Sequence, residues 1–478
     1  MMRFLYPVLV ALALLLTGAR AEESSRLTIE AFLASVKEKN PEVQGATQSA
    51  EGAKLRSEER GILLSPNLFA EASYAADGKL PQIALFNYDR IVNQNIQLGV
   101  SKLSSYGQQL RLFYQVTHTD FVNVRIPGGG GGAATAFYDA RPVFEISQNL
   151  WSNGFGRSTR ASLEALEFGA VATSHASQFQ KKAALVAAED AYWRLSFARE
   201  RVAIQKVALE QAKKIYQWSA ARAKNRLGDE ADALQARAAL EVRELEMQSA
   251  IDEEKMASRS FNKVRYAEGE VVSEELQPVV VEELLAVKTL KREEKRDDVK
   301  AAEAQTKAVV ALNQVAQEKQ LPTLDVSASL ALNGRATQLG SVLGDSYKAG
   351  RPTYGVSVKF AMPLDRGTVS DVRRGLLQEE KAAELNLQHK LAQQERDWQE
   401  LTRRLEEGKR RLSLSMKITQ AQEAKLNHER TRLKQGRTTT FQVLLFEQDF
   451  AQAQLAQLRA EAEVVGTTTQ MKLFGGSL

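Results

Sequence analysis

Leu324-Asp325-Val326-Ser327-Ala328-Ser329-Leu330-Ala331-Leu332-Asn333 places an apolar residue at every second position, with mostly polar residues between. Tyr354, Val356, Val358, Phe360 and Met362 repeat the alternation across Gly355, Ser357 and Lys359. Two strands of about ten residues, apolar on one face and polar on the other, suit the wall of a membrane barrel. A half-buried soluble hairpin has the same period, so the flanking sequence has to separate the two.

Pro322 stands just before the first of these strands and Pro363 just after the second. No proline follows Pro363, and none lies between Pro142 and Pro278. Both tracts are rich in Ala, Gln, Glu, Lys and Leu, which favours long helices because nothing in them removes a backbone donor. We predict helices over about 156–265 and 367–474, broken once each at Leu227-Gly228 and Gln435-Gly436. Leu195, Val202, Leu209 and Tyr216 recur at heptad spacing, as do Leu391, Trp398, Leu405 and Leu412, so these helices should supercoil around neighbours. At ~1.5 Å per residue each long arm would reach on the order of 100 Å. Taken alone, such segments also fit a soluble coiled-coil rod. Their length and polarity leave them unable to bury the strands, which favours the barrel.

The pattern occurs twice. Asn40-Pro41-Glu42-Val43 opens a polar stretch that stops at Pro66, and Arg296-Asp297-Asp298-Val299 opens a similar one that stops at Pro322; the span from Pro41 and from Asp297 is 25 residues in each case. Such internal duplication points to a symmetric architecture. We expect a first repeat over 22–265, with helices 27–65 and 156–265 around a strand region 66–151. A linker over 266–295 leads to a second repeat over 296–474, with helices 297–321 and 367–474 around strands at about 323–333 and 353–363. The first strand region is twice as long as the second: 84 residues separate Pro66 from Leu150, and 42 separate Pro322 from Leu364. The surplus contains a second alternating pair, Ile96-Leu98-Val100 and Leu110-Leu112-Tyr114-Val116, turning near Ser104–Gly107, which reads as an extra hairpin over about 95–120. The run Gly128–Gly132 reads as a mobile outer loop, because glycine loses most backbone entropy on ordering.

Composition excludes several function classes. Arg3, the apolar run Val8–Leu16 and Ala19-Arg20-Ala21 read as a secretory signal over 1–21, so the mature chain is expected to begin at Glu22. The chain has no cysteine, which removes disulfides and thiolate metal sites. Beyond the signal no apolar run approaches the ~18–20 residues of a membrane-spanning helix. A membrane protein of this sequence must therefore be a β-barrel. The net charge of +5 comes from interleaved basic and acidic residues, and no nucleic-acid partner is expected. His118, His175, His389 and His428 lack ligand partners at metal spacing, and Gly128–Gly132 lacks the Lys-Ser/Thr of a phosphate loop. We expect no catalysis, no cofactor and no metal. Trp151, where the strand region gives way to a helix, reads as an anchor at the membrane interface.

Leu27-Thr28 through Asn40-Pro41, Leu64-Ser65-Pro66, Leu321-Pro322, Pro363-Leu364 with Gly367, and the helix breaks at Gly228 and Gly436 occur in an order that resembles the TolC-like outer-membrane efflux proteins, the outer membrane factors. The resemblance covers nearly the whole mature chain. It implies a mostly α protein with a membrane β-barrel: a homotrimer sharing one 12-stranded barrel, continued by a long α-helical periplasmic barrel. The barrel would be wider if the extra hairpin joined it; the usual size, with that hairpin external or folded in, is the favoured expectation. Partners implied are outer-membrane lipid, a periplasmic adaptor (membrane fusion) protein and an inner-membrane transporter of RND or ABC type. The function implied is passive export, by efflux or type I secretion. The adaptor would meet the helix breaks at Gly228, Asp229, Gly436 and Arg437. At the periplasmic entrance the resemblance points to Gln442 and Leu445, where relatives often carry acidic residues, and to Leu433 and Thr438, where one example of the family carries a tyrosine and an arginine. The departures predict an entrance without a strong cation-binding ring. A periplasmic coiled-coil scaffold or adaptor without a barrel is the competing reading, and the alternation at 324–333 and 354–362 argues against it.

Overall fold

The computed structural model describes residues 26–79, 88–125, 135–288, 290–348 and 350–475. The expected signal and Gly128–Gly132 lie outside the described residues. The chain forms two compact units, each drawn from both halves of the sequence. One comprises Ser49–Ala176 and Asp298–Leu391; the other comprises Met1–Gln48, Ser177–Asp297 and Ala392–Leu478.

The first unit is built on an antiparallel sheet. Its strands are β1 (Asn67–Asp77), β2 (Arg90–Leu103), β3 (Gln108–Val122), β4 (Ala136–Asn149), β5 (Thr323–Leu332), β6 (Gly334–Ala336) and β7 (Pro352–Ala361). The order is β1-β2-β3-β4-β5-β7, with β6 continuing beside β4. Pro66, Pro322 and Pro363 flank β1, β5 and β7, where a missing donor disturbs no ladder. Pro142 is placed by the same logic: β4 pairs β5 at Val143–Ala331 and β6 at Ala140–Gly334, and the ladder lapses at proline between them.

The register sorts the side chains into two faces. Leu68, Val100, Leu112, Phe144, Leu330 and Tyr354 stand opposite one another across six strands, and so share one face. Alternate residues above and below, among them Ile96, Leu98, Val356, Val358 and Phe360, extend it. Much of this apolar face is bare: Leu68 is 76% exposed, Ile96 60%, Val356 75% and Tyr354 81%. A short helix (Leu339–Asp345) packs on it, with the Ser346 hydroxyl 2.7 Å from the Tyr114 hydroxyl and Tyr347 stacked on Tyr114.

The opposite face is polar and internally bonded. Gln115 donates to Asn95 at 2.8 Å, Thr119 to Asn93 at 2.9 Å and Arg141 to Gln115 at 2.7 Å. Arg111 pairs with Glu145 at 3.1 Å and Arg335 with Asp139 at 2.7 Å. Position 99 on this face is glycine, where a Cβ would come within 2.3 Å of Phe113 Cβ, and Phe69 and Phe113 cover the gap under the Arg111 guanidinium.

The structure corrects the expectation for the extra hairpin. β2 and β3 are neither external nor folded in; they occupy the middle of the sheet between β1 and β4. β1 pairs β2 from Asn67–Ser101 to Asp77–Ile91, and β3 pairs β4 from Gln108–Gln148 to Asp120–Ala136. Displacing the hairpin would strip both ladders of their donors and acceptors, which apolar surroundings do not replace.

Helices complete this unit and form the other. The helix expected over 27–65 is three: α1 (Ile29–Lys39), α2 (Pro41–Arg56) and α3 (Glu59–Leu63). Asn40 breaks the first pair because a residue before proline is pushed out of the helical region. Its ψ is 117°, and its side chain caps α2 by accepting from the Glu42 and Val43 amides. The long helices are α4 (Arg157–Lys224), α5 (Glu230–Val264), α9 (Arg366–Lys434) and α10 (Thr440–Met471), with α6 (Val281–Ala286), α7 (Asp297–Lys319) and the Leu339–Asp345 helix, α8, between. No described helix is long and apolar enough to cross a membrane.

Within the second unit, Phe32 stacks on Phe261 at 4.4 Å and packs beside Tyr192 in a core with Leu185, Leu195 and Val272. Each such buried side chain contributes about 1.5–3 kcal/mol. The Tyr192 hydroxyl donates to the Leu27 carbonyl and accepts from the Gln277 amide, tying the N-terminal segment and the linker to α4. A second cluster joins Leu405 and Leu412 of α9 to Leu458, Val464 and Met471 of α10.

Candidate functional site

The two helix breaks are the same structure made twice. In the turn between α4 and α5 the Leu227 amide donates to the Arg222 carbonyl at 2.9 Å. Between α9 and α10 the Arg437 amide donates to the Arg432 carbonyl at 2.9 Å. The guanidinium of each arginine turns back on the same loop, Arg222 to the Leu227 carbonyl at 2.9 Å and Arg432 to the Arg437 carbonyl at 3.3 Å. Asp229 caps α5 by accepting from the Ala231 amide, and Thr439 caps α10 by accepting from the Gln442 amide. Each cap satisfies a donor that the first helical turn leaves open.

This geometry corrects the pairing of the breaks. The left-handed residue is Arg226 in the first turn (φ 56°) and Gly436 in the second (φ 71°). Gly228 therefore corresponds to Thr438, and Asp229 to Thr439. Glycine is the ordinary choice at a left-handed position. Aligning the glycines of the two loops puts them two residues out of step, because the first turn fills the left-handed position with arginine at a cost of roughly 1–2 kcal/mol.

The four entrance candidates separate. Leu433 and Thr438 line a cavity of 160 Å³ with Gly436, Trp218, Gly228 and Asp229, so one space joins both turns. Leu445 lines a different cavity, of 240 Å³, with Ala212, Val242 and Phe441. The Gln442 side chain is exposed, and only its amide takes part in the turn. Arg437 is likewise exposed and contributes its carbonyl.

Charged pairs that sequence reading missed hold the second turn. Glu429 is 5% exposed. The Thr438 hydroxyl bonded to it, and next the Arg432 charge, hold its carboxyl below the usual range. Arg430 binds Glu447 at 2.6 Å across α9 and α10, and Lys425 reaches Asp449 at 3.3 Å. The available signal was the matching position of Arg222 and Arg432 five residues before each loop end. Farther along α10, burial pushes the Glu461 carboxyl up, and the charge of Glu200 adds to it.

Of the other positions singled out, Trp151 is 47% exposed beside the base of β4, and its carbonyl accepts from Arg157 at 3.1 Å. Among the described residues no group of three His, Asp or Glu is placed to hold a metal ion.

An antiparallel sheet apolar on one side and bonded on the other, joined to paired helical hairpins with matching turns, is the fold of the TolC-like outer-membrane channels. Three solved structures carry the comparison. The outer-membrane channel OprN is 19% identical with a TM-score of 0.65, over 94% of this chain and 90% of that one. The outer-membrane protein VceC from Vibrio cholerae is 15% identical with a TM-score of 0.64, over 94% and 96%. The CmeC outer-membrane channel of Campylobacter jejuni is 15% identical with a TM-score of 0.63, over 94% and 85%. No protein-family model and no curated protein sequence matches the chain. The resemblance read from the sequence is thus borne out at the level of fold.

Proposed function

We propose that three copies of this chain close one barrel in the outer membrane, and that their long helices form a periplasmic conduit. Substrates would be passed to it by an inner-membrane RND or ABC-type transporter through a periplasmic adaptor. The observation that carries the reading is the sheet: its exposed side is apolar over six strands, while among the described residues β1 pairs only β2 and β7 pairs only β5. In lipid those two edges need partners. A neighbouring copy supplies them in the correct sense, because β1 and β7 run antiparallel. Transport is passive, with energy supplied by the pump.

At the tip, Gly228, Asp229, Gly436 and Arg437 are the adaptor-facing positions, and Leu433, Thr438, Gln442 and Leu445 surround an entrance without an acidic ring. The test is to purify the protein from outer membranes, determine its mass in detergent and record planar-bilayer conductance. A detergent-stable trimer that inserts and conducts supports the duct. A species that extracts without detergent and does not conduct replaces it with a periplasmic scaffold. Block by micromolar multivalent cations from the periplasmic side, lost on Gln442→Ala, would overturn the account of the entrance.

A further inference from the structure

We propose that the β2–β3 hairpin is an in-register insert that widens the exit barrel from 12 strands to 18 and so sets the size limit for cargo. The proposal rests on the trimeric duct above. The hairpin is two strands, so β1 and β4 run antiparallel whether or not it is present. Its register preserves the faces as well: Asn67 stands opposite Ser101, Ser101 opposite Arg111, and Arg111 opposite Glu145. With β2 and β3 removed, Leu68 would face Phe144 and Ala72 would face Ala140, apolar side to apolar side. The second half of the chain contributes β5 and β7 without such a pair.

The hairpin also spans the whole sheet. Its turn is seated against the β4–α4 junction, where Gly107 meets Gly156 so closely that a Cβ on Gly107 would lie 3.0 Å from the Gly156 nitrogen. Gln148 donates to the Tyr106 carbonyl at 3.2 Å. A strand pair anchored at that end and laddered on both sides is wall.

Six strands from each of three copies give 18. At a strand spacing of about 4.8 Å and a tilt of about 40°, a 12-stranded barrel has a backbone diameter of about 24 Å and an 18-stranded one about 36 Å. Side chains fill small barrels, whereas 16–18 strands leave an aqueous channel. Much of the added inner wall is uncharged and hydrogen-bonding: Asn93, Asn95, Gln115, Thr117 and Thr119. The cargo class this favours is hydrophilic and bulky, admitted by cross-section more than by charge.

The test compares the full chain with a variant in which residues 79–134 are replaced by a short Asn-Gly turn. Electron-microscopic end views of the detergent-solubilised assemblies should give rings of about 36 Å and about 24 Å backbone diameter. In each, Ser329→Cys places the protein's only thiol on the polar face, to be labelled from the outer side with maleimide polymers of graded size. Polymers with a coil diameter of about 20 Å should react in the full chain and be excluded from the variant. A trimer of the full chain with a ring near 24 Å overturns this proposal alone, as does a wide ring that excludes those polymers. A full chain that remains monomeric overturns the duct as well. If the shortened variant does not fold, the ring and labelling of the full chain decide.

Discussion

Gly156 and Gly367 occupy matching places in the sequence, each near the start of a long helix after a strand, yet the structure assigns them opposite sensitivities. Gly156 has φ 80°, and a Cβ there would stand 2.1 Å from the Ser105 carbonyl oxygen and 2.5 Å from the Tyr106 carbonyl carbon. Both are backbone atoms, so the β2–β3 turn itself must retreat. Gly156→Ala therefore incurs left-handed strain of about 1–2 kcal/mol and overpacking of about 1–3 kcal/mol. Loss of the Gln148 bond to Tyr106 adds about 1 kcal/mol. The total is about 3–6 kcal/mol, or roughly 10 °C in unfolding temperature at about 2–4 °C per kcal/mol. At Gly367 the nearest atom is Asp365 Oδ1 at 3.5 Å and φ is not left-handed. Gly367→Ala should be neutral or stabilising by up to about 1 kcal/mol, as in any helix. Thermal unfolding of the detergent-solubilised protein, followed by circular dichroism, measures both. If the two variants melt within about 2 °C of one another, the close approach at Gly156 is not what holds the hairpin.

The paired turns make a reciprocal prediction. Arg226→Gly should leave stability unchanged or raise it by up to about 1 kcal/mol, because relief of left-handed strain exceeds the added chain entropy. Gly436→Ala should lose about 1–2 kcal/mol; unfolding of both variants tests this, and an equal loss from each would show that the turns are not equivalent. The Arg430–Glu447 pair should show a coupling of about 1 kcal/mol in a double-mutant cycle to Ala, and zero coupling would remove it from the account of the tip. Glu429 and Glu461 should respond to pH with opposite signs. The lowered carboxyl of Glu429 stabilises the fold above the usual value of 4.5 and loses this as pH falls through its lowered value. Glu429→Gln should therefore destabilise at neutral pH, with the difference closing in acid. The raised carboxyl of Glu461 gives stability that is complete below 4.5 and lost as pH rises through its raised value. Glu461→Gln should stabilise at neutral pH and converge on the parent in acid, as unfolding midpoints across pH would report.

Much of the architecture was legible in the chain because its signals are local. Alternation at Leu324–Leu332 and Tyr354–Phe360 specified strands with one apolar face. The proline-free tracts specified long helices, and the breaks were placed within two residues. The same locality explains the misses. Glycine stands out in a sequence whereas a left-handed arginine does not, so Gly228 was matched to Gly436 in place of Arg226. The Glu429 carboxylate reads as one more charge on a solvated helix, with Arg432 an ordinary neighbour one turn along; the Thr438 hydroxyl reaches it only because the chain turns back after α9.

Residue spacing and backbone restrictions within a few positions were enough to settle which side of each strand is apolar and, to within two residues, where the long helices break, though not that the segment 27–65 divides into three helices. That β2 and β3 stand inside the sheet, how the turns align, and that Gly156 is crowded while Gly367 is free emerge from the folded chain alone. Side-chain period reports a face and says nothing about a neighbour. Strand partners are chosen by backbone donors and acceptors that are the same at every residue, so their identity appears only when the chain has folded.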